Sequence, residues 1–381
     1  MPWNEVTIVS LRREFVNLAL KEGANISLLC RRYNISRKTG HKWIKRFLDS
    51  GEKGLEDQSR RPLTSPLNTA DEMEKLILKV RKDHPAWGGR KINQRLVDLG
   101  HTGVPAPSTI TEILKRNGKI NQKESEKHKA WIRFEADNPN DLWQMDFKGH
   151  FQIIGGRCHP LTVLDDNSRF SLCLDACKNE RADTAKGCLI GVFRRYGMPK
   201  AILCDNGPPF GASIFSPYTT LGKWLIRLGI KLIHGRPKHP QTQGKEERFH
   251  RTLKAEILDY IDFEVLDFST MQNEFDRWRD IYNFERPHES LSMKVPGQVY
   301  CESKREYPEV LPQIEYSPGD KVLQVRDGGR IHYQGKGLRI GKAFTGEFVA
   351  IRPTINDHKI EVYYCNQLIK VIDLKMKYDL R

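Results

Sequence analysis

What this 381-residue chain lacks narrows it first. No apolar run approaches the roughly eighteen residues that would cross a bilayer, so no membrane span is expected. Its opening, MPWNEVTIVSLRREF, has no apolar stretch ahead of a cleavage site, so a secretory leader is not expected either. The eight cysteines, at 30, 158, 173, 177, 188, 204, 301 and 365, include no C-x-x-C pair, and no Cys/His set has zinc-finger spacing. They read as reduced core cysteines of an intracellular, cytoplasmic protein. Acid is scarce in the N-terminal third: residues 1–134 hold 27 Lys/Arg against 15 Asp/Glu, a net of +12, while the other 247 residues hold 36 against 33, a net of +3. A total of +15 distributed in this way suits a polyanion-gripping arm on a nearly neutral body. The length suggests two to four domains.

Residues 7–49 read as three short helices. Gly23 stops the first, Asn34 ends the second, and Ser36 is a good N-cap for the third, RKTGHKWIKRF. Helix, tight turn, helix is the helix-turn-helix pattern, whose later helix enters the major groove. On that helix Ile44, Phe47 and Leu48 are expected to face inward. Arg37, Lys38, Thr39, His41, Lys42, Lys45 and Arg46 then remain for DNA. The module is placed at 1–57, followed by a basic linker at 58–69. Within the linker, Arg60-Arg61-Pro62 reads equally as a minor-groove arm or as a solvated tether. A second helix-turn-helix module is expected at 70–120, with Ser108 capping STITEILKRNG and a Thr109-x-x-Glu112 box that fits a helix start. A connector at 121–138 leads onward.

From 141 the pattern changes to strands. In Asp141-Leu-Trp-Gln-Met-Asp-Phe-Lys, Trp143, Met145 and Phe147 alternate with Gln144, Asp146 and Lys148. CHPLTVLDD and RFSLCLDAC continue an antiparallel meander through an Asp-Asn-Ser turn, where Asp165 and Asp166 read as turn residues. A helix, the short strand AILCD, another helix, the strand GIKLIHG and a proline-rich loop lead into the helix EERFHRTLKAEILDYI. Asp146 sits on a strand's polar face, Asp205 ends a buried strand, and a glutamate opens a later helix. Acids from three separate elements can converge on hard divalent cations, which prefer oxygen ligands. Two such cations about 4 Å apart clamp the attacking and leaving oxygens of an in-line phosphoryl displacement. After Pro308 and Pro312, short strands at regular intervals suggest a small SH3-like β-barrel over 311–381.

WQMDF, CDNGPPF, HPQTQGKEERFHRTLK and YNFERPHESL occur in that order. This set resembles the retroviral-integrase-like DDE transposases of bacterial insertion sequences, and the resemblance covers nearly the whole chain. It implies a multidomain protein: N-terminal helix-turn-helix modules, an α/β ribonuclease-H-like core over 139–300 with a mixed five-stranded sheet, and the C-terminal barrel. It implies Asp146, Asp205 and a glutamate as a metal triad for Mg²⁺ or Mn²⁺, two ions per active site. It further implies strand transfer at the ends of a DNA element, with double-stranded DNA as partner in the form of terminal repeats and target. The Asn206-Gly207 turn presents Asp205, while His239, Gln241 and Gly244 match the loop ahead of the catalytic helix. Arg286-Pro287-His288 is a family hallmark, structural or DNA-proximal. The N-terminal region has no His/His/Cys/Cys set of the retroviral kind, so no structural zinc is expected.

Two glutamates compete for the third position. Projected at about 100° per residue, Phe249, Leu253, Ile257 and Tyr260 form an apolar stripe that includes Glu246. Glu247 shares the neighbouring face with Arg251 and Lys254, cations suited to DNA phosphate. That favours Glu247, and the family pattern agrees, since its catalytic glutamate lies three residues after this glycine. Glu246 departs from a usually apolar position and is expected to escape to solvent or to meet the positive helix end. Glu256 is expected to be exposed, and His234, His239 and His250 lie near the site without a ligand role. The expected activity is end cleavage and strand transfer by at least a dimer on DNA, bacterial and nucleoid-associated. A non-catalytic DNA-binding regulator derived from a transposase is the alternative, and a ribonuclease-H-like nuclease without joining is a third class.

Overall fold

A computed structural model of the chain describes residues 7–58, 69–120, 135–211, 218–235, 244–356 and 358–375. Arg60, Arg61, His239 and Gln241 lie outside the described residues. The chain divides into two compact units, Met1–Asn68 and Thr69–Arg381.

In the first unit each helix starts on a side-chain cap. Thr7 accepts from the Ser10 amide ahead of α1 (Ile8–Ala19), Asn25 from Leu28 ahead of α2 (Ile26–Arg32), and Ser36 from Thr39 ahead of α3 (Arg37–Ser50). Each cap satisfies an amide that the first helical turn leaves without a partner. The core is Phe15, Val16, Cys30, Trp43 and Leu55, with Ile44 and Phe47 packed beside it. Leu48 departs from expectation: it is 67% exposed, and Trp43 is the inward residue instead. Arg12 and Arg46 lie over the Trp43 ring at 3.9 and 4.8 Å. Gly40 is required here, because a Cβ would sit 2.6 Å from the Cys30 sulfur and 2.9 Å from Phe15.

The second unit opens with α4 (Asp71–Asp83), α5 (Gly89–Asp98) and α6 (Pro107–Arg116) around Ile77, Trp87, Ile92, Leu96, Ile110 and Leu114. Ser108 does not cap α6. The helix begins one residue earlier, at Pro107, with Ala106 before it and no side-chain cap. Proline at this first position removes one of the amides that the first turn leaves without a partner and presets the helical φ.

The central sheet runs β4 (Ser171–Cys177), β3 (Gly156–Asp165), β1 (Leu142–Phe147), β5 (Ala201–Cys204), β6 (Lys231–His234). The first three strands are antiparallel, and β1, β5 and β6 are parallel. A three-residue strand, β2 (Phe151–Ile153), adds a hairpin to the start of β3. This matches the expected mixed five-stranded sheet with one short extra strand. α7 (Ala182–Tyr196) and α8 (Thr220–Arg227) pack with Trp143, Met145 and Leu161 of the sheet in one apolar cluster. α9 (Gly244–Leu253) and α10 (Phe268–Phe284) build a second cluster with Cys158, Leu164 and Leu174. β3 alternates between the two, so the sheet is covered on both faces.

At the C-terminal end, β7 (Lys321–Gln324), β10 (Phe348–Pro353), β11 (Lys359–Tyr364) and β12 (Gln367–Asp373) form a four-stranded antiparallel sheet, and β8 (Arg330–Tyr333) pairs only with β9 (Lys336–Arg339). The expected strands are present, but among the described residues their hydrogen bonds run in two separate sheets and close no barrel. Val349, Ile351, Val362 and Tyr364 share one apolar cluster with Ile202 and Leu232 of the central sheet. Gln367 fastens this contact: its Oε1 accepts from the Leu232 amide at 2.9 Å and its Nε2 donates to the Leu232 carbonyl at 3.1 Å. The amide thereby stands in for the missing neighbour of edge strand β6. Gln367→Ala should cost about 1–3 kcal/mol in urea unfolding, because both backbone groups lose their partner. No change in midpoint would show that water replaces the clamp without cost.

All eight cysteines are free, as expected, but Cys301 is exposed and belongs to no core. No helix among the described residues is long and apolar enough to cross a membrane.

Candidate active site

The parallel pairing of β1 and β5 aligns Met145 with Cys204. The next residues along are Asp146 and Asp205, so two carboxylates leave adjacent strands at the same end of the sheet. In an open α/β sheet this carboxyl end is where sites are built. Asp205 is exposed, and the turn after it is tied down by Asn206, whose Nδ2 donates to the Gly235 carbonyl at 2.7 Å. Asp146 is half-buried and accepts from the Phe147 amide at 2.9 Å. Burial pushes its ionisation up to about 7, partly offset by the Phe147 amide and helped by the charges of Asp205, Glu180 and Glu247. Negative charge therefore crowds at this point. Glu180 was not anticipated; it pairs with His159 Nδ1 at 2.8 Å.

The glutamates separate sharply. Glu247 is exposed on the first turn of α9. Glu246 does not escape to solvent: it is 1% exposed. Its Oε2 accepts from the Thr162 hydroxyl at 3.1 Å, while Oε1 has no partner. Burial and the charge of Asp146 drive its pKa well up, while burial pulls His250, 3.7 Å away, down to about 4. Burial disfavours the charged form of both groups. Glu246→Val should keep activity and add about 1 kcal/mol or more of stability, by removing a buried acid with an orphaned oxygen. Complete loss of activity in a well-folded Glu246→Val protein would reopen the choice of glutamate.

The helix start is anchored by a residue that the sequence reading passed over. The Lys245 ammonium reaches the Asp166 carboxylate at 2.5 Å and the Asp166 carbonyl at 3.0 Å. Asp166 is fully buried and also accepts from Gln144 Nε2 at 2.6 Å and the Ala136 amide at 2.7 Å. Asp165, likewise buried, accepts from the Ser168 and Asn140 amides at 2.8 and 2.7 Å. Asp165 forms the expected turn hydrogen bonds, with Ser168, whereas Asp166 is held by Gln144, Ala136 and Lys245; both acids thereby tie together segments far apart in sequence. Position beside a turn gave no sign of that, because burial depends on what packs over it.

Arg251 and Lys254 are exposed on the Glu247 helix. On α3, Arg37, Lys38, His41, Lys42 and Lys45 are exposed. Thr39 shares a hydrogen bond with Ser36 at 2.8 Å, and Arg46 donates to the Glu56 carbonyl at 2.9 Å, so both already serve the fold. His234 contacts the Asp205 carbonyl through Nδ1 at 3.3 Å. Glu256, expected to be exposed, is half-buried as a residue, with its side chain only 4% accessible.

The donor set at the strand ends is entirely carboxylate oxygen, the chemistry that hard divalent cations take. Asp146, raised by burial and then by the neighbouring carboxylates, is in the electrostatic condition that such a cation relieves. Among the described residues, no three His, Cys, Asp or Glu side chains stand close enough together to hold one ion. Asp146 and Asp205 are brought together by the sheet, and Glu247 faces outward on the neighbouring helix.

Comparison with known proteins places these elements. Residues 136–240 and 228–296 match integrase core domains, and 320–380 match the IS481 family transposase C-terminal domain. Residues 11–62 match a helix-turn-helix domain and 39–114 a homeodomain-like domain. An uncharacterized 39.2 kDa protein of insertion element IS476 from Xanthomonas euvesicatoria is 24% identical over 250 residues, 64% of this chain and 69% of that protein. An uncharacterized 31.7 kDa protein of insertion element IS407 from Burkholderia multivorans is 26% identical over 160 residues, 42% of this chain and about half (55%) of that protein. The HTLV-2 integrase catalytic core domain solved with magnesium superposes with a TM-score of 0.32 at 18% identity, covering 43% of this chain and 97% of that one. With matches to helix-turn-helix domains, an integrase core and an IS481-type C-terminal domain in sequence, the chain is similar to the insertion-sequence transposases of the integrase-like superfamily.

Proposed function

We propose that this chain is a DDE transposase that cleaves the ends of a DNA element and joins them to target DNA. The observation that carries the reading is the register of β1 and β5, which sets Asp146 and Asp205 side by side at the carboxyl end of the sheet. Asp146, Asp205 and Glu247 would hold Mg²⁺ or Mn²⁺, two ions per site. Bound there, the cations would supply positive charge against the charge that builds on the attacking and leaving oxygens.

The chain's own groups do the rest. Arg37, Lys38, His41, Lys42 and Lys45 read the terminal repeat, with Arg60 and Arg61 following the backbone. Arg251 and Lys254, on the helix of Glu247, grip phosphates near the reacting bond. Water attacks the phosphodiester at the element end, the P–O3′ bond breaks, and a free 3′-OH results. That hydroxyl then attacks a target phosphodiester: a new P–O bond forms and the target's own 3′ oxygen leaves. Bond count is conserved in the second step, so no external energy source is needed. Two ends must meet in one complex, which calls for at least a dimer on DNA. The working modules are 1–57, 70–120 and 139–300, joined by 58–69 and 121–138, with the C-terminal sheet domain at 311–381.

The test is nicking of a duplex that carries the inverted repeat bordering the gene, with Mn²⁺ or with EDTA. Cation-dependent nicking at the repeat boundary supports the reading. Tight binding without nicking would make the chain a DNA-binding regulator.

A further inference from the structure

The helix that begins at Gly244 changes pitch at its far end. Lys254–Leu258 form a π turn, with the Asp259 amide donating to the Lys254 carbonyl at 2.9 Å. Such turns are rare and, within α-helices, concentrate at functional sites. Here the turn delivers Glu256 into a buried hub. Its Oε1 accepts from Trp87 Nε1 at 3.2 Å and from Arg286 Nε at 2.9 Å, and its Oε2 accepts from Trp278 Nε1 at 3.0 Å.

Trp278 and Arg286 belong to the integrase core, but Trp87 lies 169 residues before Glu256, in the turn of the second helix-turn-helix module. Trp87 is fully buried, and His84 stacks on it with ring centroids 3.8 Å apart. Two ion pairs flank the same seam, Arg95 with Glu285 and Arg90 with Glu289 at 3.6 Å. Arg286 leans further on His288 at 3.3 Å, which gives the Arg286-Pro287-His288 motif a structural place. A buried carboxylate is costly unless its oxygens are fully bonded. Arg286 and Trp278 give each oxygen one donor, and Trp87 adds the third, so the full donor set forms only with the second module docked.

We propose that Glu256 is a positioning residue that locks the second helix-turn-helix module to the helix of Glu247, so that the pose of Glu247 depends on that module staying docked. The effect on chemistry rests on reading Glu247 as a catalytic acid; the lock itself does not. Small displacements of a reacting group cost up to about a hundredfold in rate, so a slackened lock should show as lost turnover rather than lost binding.

The test uses the full chain with Trp87→Phe, Glu256→Gln and, as a control within the core, Trp278→Phe. Amide hydrogen exchange is read first. Coupling is reciprocal, so Trp87→Phe should speed exchange about tenfold or more in 244–258, and Glu256→Gln should do the same in 84–96. Trp278→Phe, which keeps Trp87 and Arg286 on Oε1, should speed exchange in 84–96 less than Glu256→Gln does. Mn²⁺-dependent nicking of supercoiled plasmid is read second. Trp87→Phe and Glu256→Gln should each lower kcat by about 10- to 100-fold with KM within about twofold, and the double variant should fall no further than the worse single variant. Exchange that rises only in the element mutated, or nicking at the wild-type rate in both variants, would overturn the proposal. A wild-type chain that never nicks would overturn the catalytic reading instead, and reciprocal exchange would still decide the lock.

Discussion

Asp146→Asn, Asp205→Asn and Glu247→Gln should each reduce cation-dependent nicking and joining by about a thousandfold or more, while binding to the end duplex stays within about twofold. The three act as one unit, so any pair of substitutions should be no worse than one. The reason lies in the charge arrangement. Asp146 already feels burial and the charges of Asp205, Glu180 and Glu247. On the proposed reading, removing one carboxylate takes away a cation ligand and leaves the helix-turn-helix modules untouched. A gel-shift titration run beside the nicking assay checks both halves. Full strand transfer by Glu247→Gln would remove Glu247 from the site.

The second large effect is structural. Asp166→Ala leaves the Lys245 ammonium, 15% exposed, with the Asp166 carbonyl but without its counter-charge. Breaking a buried pair from one side typically costs about 3–5 kcal/mol, and the Gln144 and Ala136 donors lose their acceptor as well. Urea unfolding should show a loss of that size, with nicking reduced because Lys245 anchors the turn that carries Glu247. Lys245→Met should cost less than Asp166→Ala, because Gln144 and Ala136 keep their acceptor. Equal stability of wild type and Asp166→Ala would mean that the pair merely offsets its own desolvation.

Much of this architecture could be read from residue order. Strand alternation around Asp146, the short apolar run before Asp205 and the cap at Ser36 are local signals, and the structure follows them. What was not legible depended on contacts between distant segments. Leu48 fits an inward face by spacing, yet Trp43 fills that space. Glu246 sits in an apolar stripe, and the first-turn position suggested escape; Thr162 and His250, more than eighty residues and four residues away respectively, keep it inside. Glu256 shows the same limit. A π turn has no clear signature in KAEIL, and without it the regular spiral carries the carboxylate elsewhere. The C-terminal strands were legible one by one, but their closure was not, since pairing β8 only with β9 is a matter of register between hairpins.

The central claim is strand transfer, and a joining assay tests it most directly. A duplex with a pre-exposed 3′-OH at the inverted repeat, incubated with the wild-type chain, Mn²⁺ and a supercoiled plasmid, should become covalently attached to the plasmid. The same mixture with Glu247→Gln should give none. Nicked plasmid without attached duplex would contradict the account and leave a nuclease in its place.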